Sequence, residues 1–521
     1  MARVAASCRV ALLTAIGTLS CSCMHGPTVV RSAPAAGADF GATIASLDRV
    51  DPNSPQALEA HLEYADFLLE QGTGPCGQRL DLAQSQADVV ARNPGAKVVF
   101  PGGWSRVADL QYRIHRERAV CDTDPLVQAH ELQAAVQSAQ QAVQTYREEF
   151  DYASMAVAQF NVAATYHAAA EDTAAIAALE TAIKMDREFG LPADAQDNYG
   201  LLLSWRKQPA GADQVAQLMR DFPSRSITLK FAWAPGDALV TIDTTHSKAV
   251  EEREVQAHSS RTFARRIRAV GDDWVVSDAS TDGPIDSGVW LRYTAGAGET
   301  VATFRPELLQ FPPIEITHAG DFKEVNELAA FATRLAADSE RAIRAQAPKD
   351  ERAPAALNDA LRAAQVAFAP EVIENQLREN YELESAMWID ATLQQGVQYE
   401  LIAPLPLPGS PHVVAYHQLH FSFTREVPCT SESLGHSCVE LIVRATPQEE
   451  PLQEVLGLLH FPHGETLRYS SVTTVRVVAD PQTLRPYLHE TRRYWYVTLG
   501  KRVPDRELLE ADHSVISATY R

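Results

Sequence analysis

The segment from residue 278 to residue 286 carries oxygen-bearing side chains at the spacing of a calcium-binding loop. Such side chains alternate because a turning backbone can direct them all toward one hard cation. The residues at the first, third, fifth and ninth positions of the pattern are Asp278, Ser280, Asp282 and Asp286. Val289 stands where a bidentate glutamate belongs, and strand-like residues flank the loop. We therefore interpret the segment as a solvated acidic turn and expect no bound metal.

Six histidines fall within a segment of 52 residues: His412, His417, His420, His436, His460 and His463. Imidazoles brought together across strands can bind zinc or copper. His417 and His420 are three residues apart, however, and on a strand this spacing places them on opposite faces. We expect these histidines to be structural, and we expect no cofactor.

The sequence lacks the usual motifs of nucleophilic catalysis and phosphate binding. It contains no G-x-S-x-G elbow, no H-E-x-x-H helix and no G-x-x-x-x-G-K-[ST] loop. A catalytic triad assembled from distant residues stays open, because geometry rather than sequence order defines it. We expect a protein that is not an enzyme, with an enzyme of unrecognised site as an alternative.

Aromatic residues of the C-terminal half suggest a different kind of site. Tyr494, Trp495 and Tyr496, together with Trp233, Trp274 and Trp290, could line a cavity for an apolar ligand. Aromatic side chains on strands more often fill a hydrophobic core. Both interpretations stay open at the level of the sequence.

The overall charge excludes one class of partner. The 521 residues include 46 basic and 67 acidic side chains, which gives a net charge of −21. Such a chain is repelled by phosphate backbones, so we expect no nucleic-acid partner. A chain of this length is also too long for one hydrophobic core, and we expect several domains.

Two amphipathic runs between residues 155 and 186 are the clearest structural signal. Small and large apolar residues recur there at helical spacing: Val162, Ala163, Tyr166, Ala175, Leu179 and Ala182. Their order resembles the tetratricopeptide repeat, a helical hairpin with small residues where the two helices cross. The resemblance implies a scaffold for protein contacts.

Similar hairpins begin near residues 57, 104 and 194, with expected helices at 61–71, 80–92, 104–118, 126–146, 193–205 and 212–220. We therefore expect residues 56–224 to form a degenerate helical-repeat array.

At Ser226 the apolar period changes from helical to alternating, which predicts strands. A block of helical pattern at about 320–395 interrupts these strands. We expect residues 226–521 to form one antiparallel sheet domain covered on one face by helices, with two smaller domains as the alternative. The predicted fold class is α+β and multidomain.

Residues 1–23 have the pattern of a secretory signal. Arg3 and Arg9 come before a run of about ten apolar residues, and small residues follow that run. Cys21, directly after Leu19 and Ser20, resembles the acylated cysteine of a bacterial lipobox. The resemblance implies a membrane anchor at Cys21, and an ordinary cleaved signal is the alternative. Residues 24–55 are expected to form a flexible tether.

Export would allow disulfides to form among the four cysteines that remain in the mature chain. Proximity in sequence favours Cys429 with Cys438, which leaves Cys76 with Cys121, each expected in a loop between helices. Four reduced, buried thiols are the alternative.

These observations predict an exported protein at the periplasmic or outer surface, held to the membrane by an N-terminal lipid. In the favoured hypothesis its helical array binds a protein or peptide partner. In the alternative hypothesis the sheet domain binds a lipid or another hydrophobic ligand.

Overall fold

The computed structural model describes residues 39–520, apart from 72–73, 100–101, 208–224, 251–252, 281–288, 296–297, 305–311, 347–360, 362–364, 366–367, 409, 431–436, 449–465 and 501–503. Cys21 and the expected signal, 1–23, lie outside these residues. So do the helix expected at 212–220 and most of residues 347–367 in the helical block expected at about 320–395.

The N-terminal part of the described chain is helical, as expected. Its helices are α1 (Phe40–Val50), α2 (Pro55–Glu70), α3 (Cys76–Ala91), α4 (Gly103–Cys121), α5 (Pro125–Glu148), α6 (Tyr152–Ala168), α7 (Asp172–Glu188) and α8 (Pro192–Trp205), with a 3₁₀ helix at Pro94–Val98. Local signals fix several starts: the side chains of Ser54, Asp124 and Asp151 accept hydrogen bonds from backbone N–H groups of the first turns of α2, α5 and α6.

Helix α1 corrects the tether that we expected over residues 24–55. Phe40 is buried, and its ring stacks on Tyr64 with centroids 5.2 Å apart. The side chain of Asp39 accepts a hydrogen bond from the Ala42 N–H and caps the helix. A composition rich in small residues predicted no structure here, but one aromatic anchor and one cap suffice to dock the segment on α2.

Consecutive helices pack along the array, and the repeat positions lie in its core. Ala163, Ala175, Leu179 and Ala182 are fully buried, and Val162 is nearly so. Tyr166 is partly buried against the same apolar cluster. Small residues therefore occupy the close-packed positions of α6 and α7, as the spacing predicted.

Fifteen strands follow in the described residues: β1 (Ser226–Thr228), β2 (Gly236–Val250), β3 (Arg253–Val270), β4 (Asp273–Ser280), β5 (Val289–Ala295), β6 (Gly298–Phe304), β7 (Ile314–Thr317), β8 (Phe322–Val325), β9 (Thr392–Gln394), β10 (Gln398–Leu407), β11 (Ser410–Pro428), β12 (Ser437–Pro447), β13 (Thr466–Ala479), β14 (Pro486–Gly500) and β15 (Pro504–Tyr520). Thirteen form one antiparallel sheet, whose main path runs β10-β11-β12-β13-β14-β15-β2-β3-β4-β7-β8. The α+β fold class is confirmed.

The sheet curls around a single helix. Between β8 and β9 lie α9 (Leu328–Gln346), α10 (Pro370–Glu384) and a 3₁₀ helix at Ala386–Trp388. Helix α10 contacts β8 at one end of the strand order and β10 and β11 at the other. Its Leu383 packs with Leu405 and Leu419, whereas its Tyr381 packs with Trp274. Both ends of the sheet therefore meet the same helix.

The opposite face of the sheet carries the helical array. Ile442 of β12 belongs to the apolar cluster of α4 to α8, whereas its neighbour Leu441 faces the α10 side. Helices thus cover both faces of β12, where we expected helices on one face. Residues 38–521 form one compact unit, so the two regions expected as separate domains pack together. The helical block expected at about 320–395 also contains β8 and β9.

Candidate functional site

The array contacts the sheet through alternate turns between its helices. We call the turns at 51–54, 92–99, 149–151 and 189–191 the docked edge. The Thr498 hydroxyl donates to Asp51 Oδ2 at 3.3 Å, and Lys97 Nζ lies 5.5 Å from the centre of the Tyr494 ring. Farther along, Arg444 of the sheet lies 3.5 Å from Asp151. This edge of the array is therefore occupied by the protein's own sheet.

A network of ion pairs on the sheet contacts the docked edge of the array. Glu440 is fully buried and accepts from Arg476 Nε at 2.8 Å and from Arg425 Nε at 3.3 Å. Arg425 also pairs with Glu188 at the end of α7. Burial alone would raise the pKa of Glu440, but Arg476 and Arg425 outweigh it and hold that pKa below its usual value. Glu440 is thus a permanent counter-ion of the interface.

Aromatic side chains of the array cover these arginines. The guanidinium of Arg492 lies 4.5 Å from the centre of the Phe150 ring. The guanidinium of Arg425 lies 5.3 Å from both Tyr152 and Phe189. Cations over aromatic faces are stabilised further when they are shielded from water. The docked edge therefore combines ion pairs with apolar cover.

The described turns at the opposite ends of these helices are mostly exposed. We call this second set, at 74–75, 122–124 and 169–171, the free edge. A disulfide joins Cys76 at the start of α3 to Cys121 at the end of α4 and ties two of its corners together. Beside it, Val120 is 76% exposed and Leu126 is 81% exposed. Two large, mostly exposed apolar side chains thus flank a turn that the disulfide ties to the start of α3.

A groove runs along α3, from Asp81 near the free edge to Arg92 at the docked edge. Its volume is about 310 Å³, and its lining residues are Asp81, Gln84, Ser85, Asp88, Val89, Arg92 and Arg118. Arg118 donates to Asp81 at 2.8 Å, so α3 and α4 are also joined across the groove by an ion pair. The groove is mixed in character, with paired charges around the half-exposed Val89.

The inner face of the curled sheet holds an aromatic cluster. Trp274 and Tyr381 are buried there with Ile316, and Trp233 packs against the cluster. The rings of Trp233 and Tyr381 meet edge-on with centroids 6.2 Å apart. Two of the tryptophans singled out in the sequence therefore belong to one compartment, which we call the aromatic compartment.

The other aromatic candidates lie elsewhere. Trp495 packs with Tyr469 in a second apolar cluster. Tyr494 faces Lys97 of the docked edge. Trp290 lies on β5, where its side chain is outside the described part of the structure. The sequence thus grouped residues that the fold distributes over two faces.

A hydrogen-bonded chain of three polar residues joins Glu384 of α10 to His489 and Thr491 of β14. We call it the polar row, and the sequence analysis did not predict it. The Thr491 hydroxyl is 2.9 Å from His489 Nε2, and His489 Nδ1 is 3.0 Å from Glu384 Oε2. Burial opposes ionisation of Glu384, but the hydrogen bond from His489 holds its pKa below the usual value. The connectivity is that of a nucleophile triad.

The burial of His489 and Thr491 determines whether this row could act on a substrate. His489 and Thr491 are 3% and 4% exposed, so α10 shuts them off from a substrate. Glu379 of the same helix also pairs with Arg493 at 3.2 Å. We therefore assign these contacts the role of holding α10 inside the sheet. The separation of 105 residues between Glu384 and His489 explains why no sequence motif indicated them.

The expected acidic turn is partly corrected. Asp278 and Ser280 lie on β4, which continues to Ser280, and Asp278 is paired with Arg265 at 3.0 Å instead of standing in solvent. Asp282 and Asp286 lie outside the described residues. Within the described ranges no group of three or more His, Cys, Asp or Glu side chains is placed to hold a metal.

The histidines of the late cluster are divided by the fold. His417 is buried and lies 2.9 Å from the Ala415 carbonyl, and burial lowers its pKa to about 4. His420 lies 2.6 Å from the Gln398 amide, and burial lowers its pKa as well. His412 is on β11, whereas His436, His460 and His463 lie outside the described residues.

Both expected cysteine pairs are confirmed. Cys76 is bonded to Cys121, and Cys429 to Cys438. Cys76 and Cys121 lie at helix ends rather than in loops. Disulfides indicate an oxidising, exported compartment. No helix in the described ranges has the length and apolarity needed to cross a membrane.

Comparison with known proteins gives no family. No family model matches the chain, and no curated protein matches it. Among solved structures, lipovitellin, from a study of its lipid–protein interactions, is similar at 8% identity over 55% of this chain and 25% of its own, with a TM-score of 0.29. The chain thus spans about a quarter of that protein.

Two other solved structures show still lower similarity. Pseudomonas aeruginosa OccK2 (OpdF) matches at 8% identity over 57% of this chain and 100% of its own, with a TM-score of 0.14. Bacillus thuringiensis insecticidal crystal protein Cry7Ca1 matches at 8% identity over 92% of this chain and 94% of its own, with a TM-score of 0.15. Similarities at this level carry no argument about function.

Proposed function

We propose that this chain is an exported, lipid-anchored envelope protein whose helical array binds a protein or peptide partner at the free edge. The disulfides support the exported compartment. The lipobox-like Cys21 supports the anchor. The 18 residues from Cys21 to Ala38 would reach at most about 65 Å when fully extended, enough to let the array approach partners near the membrane.

One observation carries the choice of the free edge. The docked edge is filled by the protein's own sheet, whereas Val120 and Leu126 beside the free edge are 76% and 81% exposed. Single exposed apolar residues are common, but two such residues on one disulfide-tied corner form a preformed contact. A partner would bury both without an ordering cost for the corner.

Site-specific photocrosslinking in the native host tests this proposal. A photoreactive amino acid at position 126, in the chain expressed with its own N-terminus, should give one discrete cross-linked protein. The same amino acid at Leu401, which is 47% exposed on β10, serves as the matched control and should not give that product. Val120→Glu should abolish the product at 126 by placing a charge in the contact. Equal products at both positions, or a product insensitive to Val120→Glu, would contradict the proposal.

A second candidate function is binding of an apolar ligand by the curled sheet. It is favoured by the meeting of Trp233 and Trp274 in one buried compartment next to α10. The two functions are compatible, because the array and the aromatic compartment lie on opposite faces of the sheet.

A further inference from the structure

The charged residues at the turns of the free edge are all acidic. They are Glu70, Asp122, Asp124, Glu171 and Asp172. No lysine or arginine lies in these turns or at the helix ends beside them, over residues 70–76, 120–126 and 168–173. Consecutive helices pack side by side about 8 to 10 Å apart, so the three turns follow one another along the array. The free edge therefore presents a row of carboxylates.

The middle turn of this row has two carboxylates without a counter-ion. Asp124 accepts from the Leu126 N–H and caps α5, and Asp122 accepts from the Asp124 N–H. Among the residues that the structure describes, no Lys, Arg or His side chain forms an ion pair with either carboxylate. The nearest arginine in the sequence, Arg118, is paired with Asp81 at 2.8 Å. This turn thus adds two uncompensated negative charges.

Exposed apolar side chains lie on both sides of the same turn. Val120 precedes it, and Leu126 and the 38% exposed Val127 follow it at the start of α5. We call Val120, Asp122, Asp124 and Leu126 the acidic–apolar corner. Its two charges lie in the chain between its two apolar side chains, so a partner that covers the apolar pair also meets the carboxylates.

Charge determines which kind of partner fits this corner. A second copy of the chain would bring an identical acidic edge and a net charge of −21. Anionic lipid head groups and nucleic-acid phosphates are repelled in the same way. Apolar side chains flanked by carboxylates are complemented by apolar side chains flanked by Lys or Arg.

We propose that the partner of the free edge presents a basic, amphipathic protein segment. Its apolar side chains cover Val120 and Leu126, and its Lys or Arg side chains face Asp122 and Asp124. This inference rests on the proposed function, and it adds the chemical class of the partner.

Fluorescence anisotropy with the purified full chain and labelled synthetic peptides measures the preference of this surface. The probes are a helical peptide of leucine and lysine, the same peptide with glutamate for each lysine, and the same peptide with serine for each leucine. The leucine–lysine peptide should bind roughly tenfold more tightly than either of the others. Its binding should weaken as NaCl is raised from about 0.05 M to about 0.5 M, because salt screens exposed charges.

A double variant tests the two carboxylates of the corner. Asp122→Asn with Asp124→Asn removes both charges and keeps side-chain acceptors for the two backbone hydrogen bonds. It should weaken binding of the leucine–lysine peptide roughly fivefold, as expected for the loss of two exposed ion pairs. Asp197→Asn with Asp272→Asn, at exposed positions outside the free-edge turns, changes the net charge equally and should leave the affinity unchanged.

Leu126→Ser tests the apolar part of the corner. It should weaken binding of the leucine–lysine peptide and leave the salt dependence as it is, because no charge is lost. Equal melting temperatures would show that this variant and both double variants are folded.

The outcomes separate this inference from the function on which it rests. Equal affinity for the lysine and glutamate peptides, or equal losses in the two double variants, would overturn the basic partner. In the native host, the cross-linked product at position 126 should be lost in the Asp122→Asn, Asp124→Asn chain. A product that survives there would overturn the inference and leave the proposed function standing. Absence of any product in the parent chain would overturn the proposed function, whatever the peptides show.

Discussion

At the scale of residues, buried charges are stabilised by specific partners. Glu440 is ionised between Arg425 and Arg476, and Glu490 has its pKa lowered to about 2 because hydrogen bonds from His513 and Arg492, with nearby arginines, outweigh burial. A lowered pKa contributes stability above the ordinary carboxylate pKa, and that contribution is lost as the pH falls toward the lowered value. Both residues therefore stabilise the protein at neutral pH.

Asp186 has the opposite behaviour. It is 1% exposed and accepts one hydrogen bond from the Asn198 amide at 2.8 Å. Burial raises its pKa to about 7; the bond from Asn198 opposes the rise and Asp194 adds to it. Because this pKa is raised, the stability linked to Asp186 is fully present below the unfolded pKa and is lost as the pH rises through about 7.

We therefore expect Asp186→Asn to be more stable than the parent protein at pH 8, by on the order of 2 kcal/mol, because it removes the cost of burying a carboxylate. The gain should shrink steadily toward pH 4. Urea unfolding at several pH values measures it. Asp197→Asn, at an exposed position of α8, is the control and should show no such trend. A gain that does not vary with pH would contradict the raised pKa.

At the scale of elements, helix packing depends on small residues at the crossing of α6 and α7. Ala163, Ala175 and Ala182 are fully buried, and Leu179 fills the space beside them. Interiors are close-packed, so extra methyl groups at such positions push the backbones apart.

Ala175→Leu should accordingly lower the free energy of unfolding by about 1 to 3 kcal/mol. Ala177→Leu is a matched control, because Ala177 lies on the same helix but is exposed. Denaturant unfolding of the two variants measures the difference. If both substitutions were equally tolerated, the close crossing of α6 and α7 would be wrong.

At the scale of the whole molecule, the array and the sheet act as one body. Arg492 of β14 donates to the Glu148 carbonyl at the end of α5, although 344 residues separate them. The docked edge repeats such contacts at each alternate turn, which holds the array rigidly on the sheet. The free edge is in consequence presented in a fixed orientation.

Intact mass spectrometry tests both the lipid anchor at Cys21 and the two disulfides. The protein expressed with its own N-terminus in a bacterial host should have the intact mass of a chain cut before Cys21 and acylated. Reduction should add four hydrogens, two for each disulfide. Cys21→Ser should lose the acyl mass and keep the disulfides. An unprocessed, reduced mass would contradict both the anchor and the exported compartment.

Much of the fold followed from local sequence. Apolar spacing predicted α2 to α8, with most of their ends within a few residues, and the change to strands after Ser226, because helix period and strand alternation depend on neighbours close in the chain. The cysteine pairs followed from proximity and from the expected compartment. The tether was wrong over α1 because a single buried Phe40 outweighed the composition of the segment.

The candidate sites were less predictable. The sequence named Trp233 and Trp274 but grouped them with Trp495, which belongs to another cluster. It also named Asp278, as part of a solvated turn, whereas the strand brings it beside Arg265. The alternation of apolar and polar residues along a strand shows that the strand has two faces. It does not show which helices or strands will pack against each face.

Local sequence was enough to predict the α+β class and the helices α2 to α8, and it favoured the two cysteine pairs that the structure contains. Local sequence did not indicate that α10 lies inside the curled sheet or that the array docks on the sheet by one edge. The physical reason is range: caps and periodicity act over a few residues, whereas Glu384 with His489 and Glu148 with Arg492 are contacts across 105 and 344 residues. Such contacts depend on how the whole sheet curls, and the free edge is defined by what that packing leaves exposed.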